Sequence, residues 1–298
     1  MKQILVILLT FCCLAANAQN QVIRRQGANK GTNATETKAS TSSSQTKLSS
    51  SAVERLTNPQ INASYSNGVL TVNGVRYEFA LVVAGTFTMG ATAEQGSDAD
   101  SDEKPAHQVT ITKDYYMGKT EVTQALWKAI MGSNPSHFKG DNRPVERVSW
   151  NDCQEFTSKL NSLTGKTFRL PTEAEWEFAA RGGNNSRHYK YSGSDNLHDV
   201  AWYYDNSSNT THDVATKRPN ELGIYDMSGN VWEWCQDRYG AYSSNAQYDP
   251  AGPMSGSGRV IRGGSWYFDA GYCRSSFRGG LDPDYGNGSL CFRLCLSE

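Results

Sequence analysis

Two stretches of this chain carry residue types able to do chemistry, and each admits a plain structural alternative. The first is "DAGYCRSSFRGG" over 269–280. Its single thiol, Cys273, becomes a nucleophile or soft-metal ligand only as a thiolate. Otherwise it is a small buried hydrophobe or one half of a disulfide. The second is "YDMSGNVWEW" over 225–234. Asp226 and Glu233 supply carboxylates there, and Gly229 and Val231 can offer main-chain carbonyls as the loop turns. Hard oxygen donors from one short loop are what Ca²⁺ prefers. The alternative is a tight turn with exposed acids and a tryptophan pair in the core.

Other chemistries fit poorly. "DADSDE" at 98–103 lacks the glycine and downstream glutamate of an EF-hand loop and reads as a solvated loop. The five histidines (His107, His137, His188, His198, His212) form no HExxH pattern. There is no G-x-S-x-G elbow and no phosphate-cradling glycine loop. Lys+Arg and Asp+Glu balance at 29 against 30, so no overall field draws nucleic acid. Aromatic residues gather between Trp266 and Tyr285, a composition suited to recognition. Trp266, Tyr267, Tyr272, Arg274 and Arg278 are the expected ligand-binding surface.

Elements must position these groups. Residues 1–18 read as a signal peptide: Lys2, an apolar run over 4–14, then Ala16-Asn17-Ala18 for cleavage. A lipoprotein reading through Cys12 or Cys13 is disfavoured by bulky Phe11. No later stretch is apolar enough to cross a membrane. The expectation is an exported chain, periplasmic, cell-surface or secreted, with no transmembrane segment after cleavage. Residues 19–60 are Ser/Thr-rich and read as a disordered spacer. Residues 61–298 form the expected domain, opening with strand alternation around an Asn-Gly turn in "GVLTVNGVRYEFALV". Helices are predicted over 121–132, 150–165 and 172–182, each closing on glycine, the last opening with a Thr172–Glu175 capping box. With 27 glycines and 15 tyrosines, the rest reads as short strands and long loops, giving α+β with little regular structure.

Several stretches stand in a telling order: "FTMG" (87–90), "EVTQALW" (121–127), "PVERVSW" (144–150) and "RLPTEAEWEFAARGG" (169–183), then "GIYDMSGNVWEW" (223–234), "RVIRGGSW" (259–266) and "CFRL" (291–294). Over roughly 80–298 the chain resembles the formylglycine-generating enzyme, or sulfatase-modifying-factor, family. The resemblance implies a single compact domain related to C-type lectins. It implies a structural calcium at Asp226, Gly229, Val231 and Glu233; a second family calcium site near 199–213 is left unassigned. It also implies an oxidase that converts a sulfatase cysteine to formylglycine with dioxygen, holding Cu(I) on two thiolates five positions apart. Cys273 matches the first thiolate, but Arg278 stands at the second.

A guanidinium has no lone pair for a metal, so it cannot replace a thiolate. Cys235, Cys291 and Cys295 are the candidates to restore a copper pair or to close a disulfide with Cys273, and sequence does not choose among them. The reading taken forward is an exported non-catalytic member that binds a protein or peptide partner, an envelope glycan or a protein complex. The alternative is the oxidase, with Cys273 catalytic, Cu(I) as cofactor and a sulfatase as partner.

Overall fold

Two Asn-Gly dipeptides build the first hairpins. β1 (Ala63–Ser66), β2 (Val69–Val72) and β3 (Val75–Val82) form an antiparallel meander. Its turns are Asn67-Gly68 and Asn73-Gly74, all at positive φ. A two-residue primed turn demands that backbone, and Asn and Gly adopt it at low cost. The computed structural model describes residues 61–97 and 99–297; the expected signal peptide and spacer, with Asp98, lie outside the described residues.

Beyond the meander come β4 (Gly85–Met89), β5 (His107–Ile111) and β6 (Tyr115–Gly118). Then follow α1 (Gln124–Met131), α2 (Trp150–Thr164), β7 (Phe168–Arg169), α3 (Glu173–Ala180) and α4 (Leu197–Val200). The last third carries β8 (Trp232–Arg238), β9 (Gln247–Tyr248), β10 (Arg259–Arg262), β11 (Arg278–Leu281), β12 (Leu290–Cys291) and β13 (Cys295–Leu296). They assemble as three sheets, in the orders β1-β2-β3-β6-β13-β7, β11-β10-β8-β12 and β4-β5-β9. The C-terminal β13 thus lies between β6 and β7, which ties the end of the chain to its beginning. The fold class is α+β, with short elements joined by long loops.

Each main helix is bounded by side-chain chemistry. α2 opens on Ser149, whose Oγ accepts from the Asp152 N–H while the Asp152 carboxylate accepts from the Ser149 N–H, and Gly165 closes it at φ 67°. α3 opens on the same reciprocal bonds between Thr172 and Glu175. α1 begins at Gln124, later than the predicted start at 121, because Thr123 is the cap and accepts from the Leu126 N–H. Glu121 and Val122 are thereby left outside the helix.

α3 is the central element and is buried along its whole length. Its three glutamates each face a guanidinium: Glu173 meets Arg278, Glu175 meets Arg169, and Glu177 meets Arg181 and Arg262. A carboxylate taken out of water needs such a partner, since desolvation otherwise costs more than burial returns. The largest apolar cluster packs under the meander, α1 and α2, with Trp127 stacked on Phe156 at 5.2 Å. A smaller one joins Tyr191, Leu197, Val200, Ala201 and Tyr203 to Cys273.

Candidate functional site

The 226–233 loop enters β8 through a strained backbone. Asp226 and Asn230 sit at φ 59° and 56°, conformations that side-chain-bearing residues seldom adopt. Gly229 has φ 82°, and a Cβ there would collide with the Trp202 carbonyl oxygen. Asn230 pins the loop, accepting from the His212 N–H at 2.9 Å and donating to Glu121 Oε2 at 3.3 Å. Asp226 accepts from the Ala215 N–H at 2.7 Å.

Three carboxyls, those of Glu121, Asp226 and Glu233, are buried here, and one guanidinium answers them. Arg293 grips Glu233 with two bonds of 2.6 and 2.5 Å, and Trp176 Nε1 donates to the same carboxylate at 2.8 Å. Among the described residues no basic side chain pairs with Asp226 or Glu121, Arg293 being held by Glu233. Burial, opposed by the Ala215 N–H and raised further by Glu233, lifts Asp226 to about 6. Burial and the Asp226 charge lift Glu121 well above the carboxylate range. Glu121 Oε1 is enclosed and meets no N–H donor, with the Asp226 carboxyl beside it as its neighbour. An excess of buried carboxyls over cations, with an oxygen that meets no N–H donor, fits a hard divalent cation. Among the described residues no three Asp, Glu, His or Cys side chains gather as a metal site, so a cation here would draw on main-chain carbonyls as well. Glu233 is committed to Arg293, which sets it apart from the other expected ligands.

Cys273 closes a 3-10 turn over Ala270–Cys273 and is fully enclosed. Burial, with Asp269 adding to it, pushes its thiol up to about 12. Gly264 makes room for it, since a Cβ there would lie 2.7 Å from Cys273 Sγ. Among the described residues Cys153, Cys235, Cys273, Cys291 and Cys295 are all buried and all free. Cys153 and Cys291 belong to one apolar cluster, Cys235 and Cys295 to a second, and Cys273 to a third. Among the described residues no disulfide is formed, and Cys273 packs in a different apolar cluster from each of the other four thiols.

Arg278 and Arg274 require a correction. Both were expected on a binding surface, yet they are 3% and 1% exposed. Arg278 binds Glu173 through Nε and Nη2 at 2.7 and 2.5 Å, donates to the Gly240 carbonyl at 2.6 Å, and lies 4.0 Å from the Tyr242 ring centroid. Arg274 grips Glu103 with bonds of 2.6 and 2.7 Å. Their partners lie about a hundred residues away or more, so no local pattern announced the burial. Tyr272 is half-buried against Phe268 and Phe277. Trp266 is half-buried with its Nε1 on the Gly288 carbonyl, and only Tyr267, 45% exposed, stands out fully. Sequence reasoning missed Tyr204, 53% exposed, whose N–H donates to the Phe268 carbonyl beside Tyr267. It also missed Glu121, Glu173 and Asp237; a glutamate inside the α3 capping motif was the only signal for any of them.

Known proteins place this geometry. A family model described as "Sulfatase-modifying factor enzyme 1-like domain" matches residues 72–297. The chain belongs to this family. The "Chaperone protein LppX" of Paenibacillus barcinonensis is 36% identical over 233 residues, covering 60% of this chain and 80% of that protein. The "Formylglycine-generating enzyme" of Streptomyces coelicolor is 36% identical over 195 residues, covering 59% of this chain and 60% of its own length. Among solved structures, Treponema denticola variable protein 1 matches with a TM-score of 0.70 at 35% identity, over 77% of this chain and 98% of that one. PvdO from Pseudomonas aeruginosa matches with 0.64 at 25%, over 75% and 94%. The sulfatase-modifying-factor fold therefore carries proteins named as an enzyme, a chaperone and a variable protein, and function has to be argued from the site.

Proposed function

We propose that this protein is an exported, non-catalytic member of the sulfatase-modifying-factor family that holds a protein or peptide partner at the cell envelope. The observation that carries the reading is the buried Arg278–Glu173 pair. Copper chemistry of the formylglycine type needs a second soft thiolate where Arg278 stands. A permanently charged guanidinium there offers no lone pair, and Glu173 holds it inward. Cys273, enclosed and protonated at neutral pH, offers no thiolate of its own.

Tyr267 and Tyr204 lie on adjoining loops, with the Trp266 ring beside Tyr267 at 5.3 Å. Rigid aromatics of this kind supply contact area at small entropic cost. The relative named a chaperone protein is in keeping with partner binding.

Calcium enters as a structural proposal. Asp226, the Gly229 and Val231 carbonyls and Glu121 Oε1 would hold it, with Glu233 anchoring Arg293 beside them. Bound calcium would neutralise the buried carboxyls and stiffen the strained loop.

The deciding test incubates the purified protein with Cu(I), dioxygen and a Cys-x-Pro-x-Arg peptide, followed by mass spectrometry. The expected result is unconverted cysteine. Aldehyde formation that disappears in Cys273→Ser would establish the oxidase instead.

A further inference from the structure

Against the Arg278–Glu173 pair a cleft of about 280 Å³ opens, with Glu173, Asp237, Tyr242, Gln247 and Arg278 among its walls. We propose that this cleft binds an organic cation, a primary ammonium or a guanidinium, with Asp237 as its counter-ion.

Asp237 lies on β8 and is 3% exposed. Its Oδ2 accepts the Glu173 N–H at 2.9 Å. Among the described residues no basic side chain pairs with it, unlike the three glutamates of α3. Arg278, the cation at hand, is turned elsewhere: its bonds go to Glu173 and to the Gly240 and Asp102 carbonyls. The field at Asp237 is negative on balance, since Glu173 and Glu175 outweigh Arg278 there. Burial and the Glu173 charge raise its carboxyl to about 8, as expected where a partner is missing. A buried acid without a basic partner, beside an open space, is a receptor for positive charge.

The shape selects an organic cation over a metal ion. A hard metal needs several free oxygens, and those of Glu173 are already taken by Arg278, Tyr242 and Arg262. Small residues widen the cleft: Ala174, Gly240, Ala241 and Ala251 line it. Gly252, at φ 76°, passes so close that a Cβ would lie 2.8 Å from that of Asp237. The Tyr242 ring already takes one cation on a face, and aromatic rings of this kind favour positive charge.

Calorimetry on the purified protein at roughly pH 9, where Asp237 is ionised and the amines are still cationic, tests the proposal, with n-butylamine and agmatine as probes and n-butanol and butyrate as neutral and anionic controls. The amines are expected to bind in the millimolar range, at least ~10-fold tighter than butanol, with butyrate weaker still. Asp237→Asn keeps the acceptor for Glu173 and removes the charge; it should weaken amine binding at least ~10-fold. Ala241→Trp, at an exposed position on the mouth, should block binding with Asp237 intact, and decides the matter if the Asn variant does not fold. Acetyl-Gly-Lys-Gly-amide separates the sources. Binding as tight as butylamine assigns the side chain of a polypeptide, and binding of butylamine alone assigns a free amine. Equal affinity for butylamine and butanol overturns the proposal, as does unchanged amine binding by a folded Asp237→Asn or Ala241→Trp.

Discussion

Arg278 and Glu173 are both buried and hold each other, so neither is replaceable alone. Arg278→Cys restores the cysteine spacing of the oxidase, yet it should yield no aldehyde and cost about 3–5 kcal/mol, because the buried Glu173 carboxylate loses its two short Arg278 bonds and keeps only Arg262 at 3.4 Å and the Tyr242 hydroxyl. Urea unfolding measures the loss, and adding Glu173→Gln to the same chain should recover part of it. The calcium proposal has its own residue-scale test. Calcium should raise the melting temperature of the parent chain, chelator should reverse the shift, and Asp226→Asn should abolish the response. Burial keeps the Glu121 carboxyl protonated, so Glu121→Gln should leave the melting temperature of the chelated protein nearly unchanged at neutral pH while weakening its response to calcium; a large drop without calcium would count against this account. Single residues were also the hardest to read from sequence. The turn in the Asp226 loop was legible from Gly229, which sits at φ 82°. Arg274 and Arg278 were misplaced because a guanidinium is usually exposed, and the acids that bury them lie 171 and 105 residues away.

Elements were read more faithfully, because their boundaries are set by neighbours in the chain. Ser149, Thr172, Gly165 and the Asn-Gly turn at 73–74 act within a few residues, and each does in the structure what its local chemistry predicts. The start of α1 was misplaced since Val122 continues the apolar spacing, although Thr123 caps the helix after it. Ser149→Ala and Thr172→Ala should each cost ~1 kcal/mol through the lost cap, read as a lower urea midpoint. The Thr172 change should cost the more, because Glu175 then loses a hold within a wholly buried helix. Gly229→Ala adds a collision to a positive φ and should cost ~1–3 kcal/mol. A neutral outcome would mean that the loop relaxes freely.

Across the whole molecule, charge arrangement predicts a stability curve that falls in acid and also declines from mildly acid pH up to about 8. Burial opposes ionisation of Glu103 and Glu173, but Arg274, Arg278 and Arg262 more than offset it and hold both below the usual range. The stability they contribute is present above the unfolded value of 4.5 and is lost as pH falls through their folded values. Asp237 works the other way. Its carboxyl is raised from 3.8 to about 8, so between those values the folded chain holds a proton that the unfolded chain has released. Stability should therefore decline as pH rises across that window and level off above it. Asp237→Asn should flatten the decline, which melting temperatures from acid to mildly alkaline buffer would reveal. An equally steep decline in the variant would rule out Asp237 as its source. No sequence pattern forecasts such a curve, because it depends on which acids meet an arginine across the fold.

The buried Arg278–Glu173 pair also limits which substitutions can follow one another. Moving between a guanidinium and a thiol at position 278 by a single codon change passes through a chain whose buried Glu173 keeps only the more distant Arg262. The safer order changes Glu173 first, but that leaves Arg278 and Arg262 facing each other with one carboxylate fewer. Either route crosses a less stable intermediate, so the pair acts as a ratchet that keeps this chain from drifting into the oxidase arrangement one step at a time.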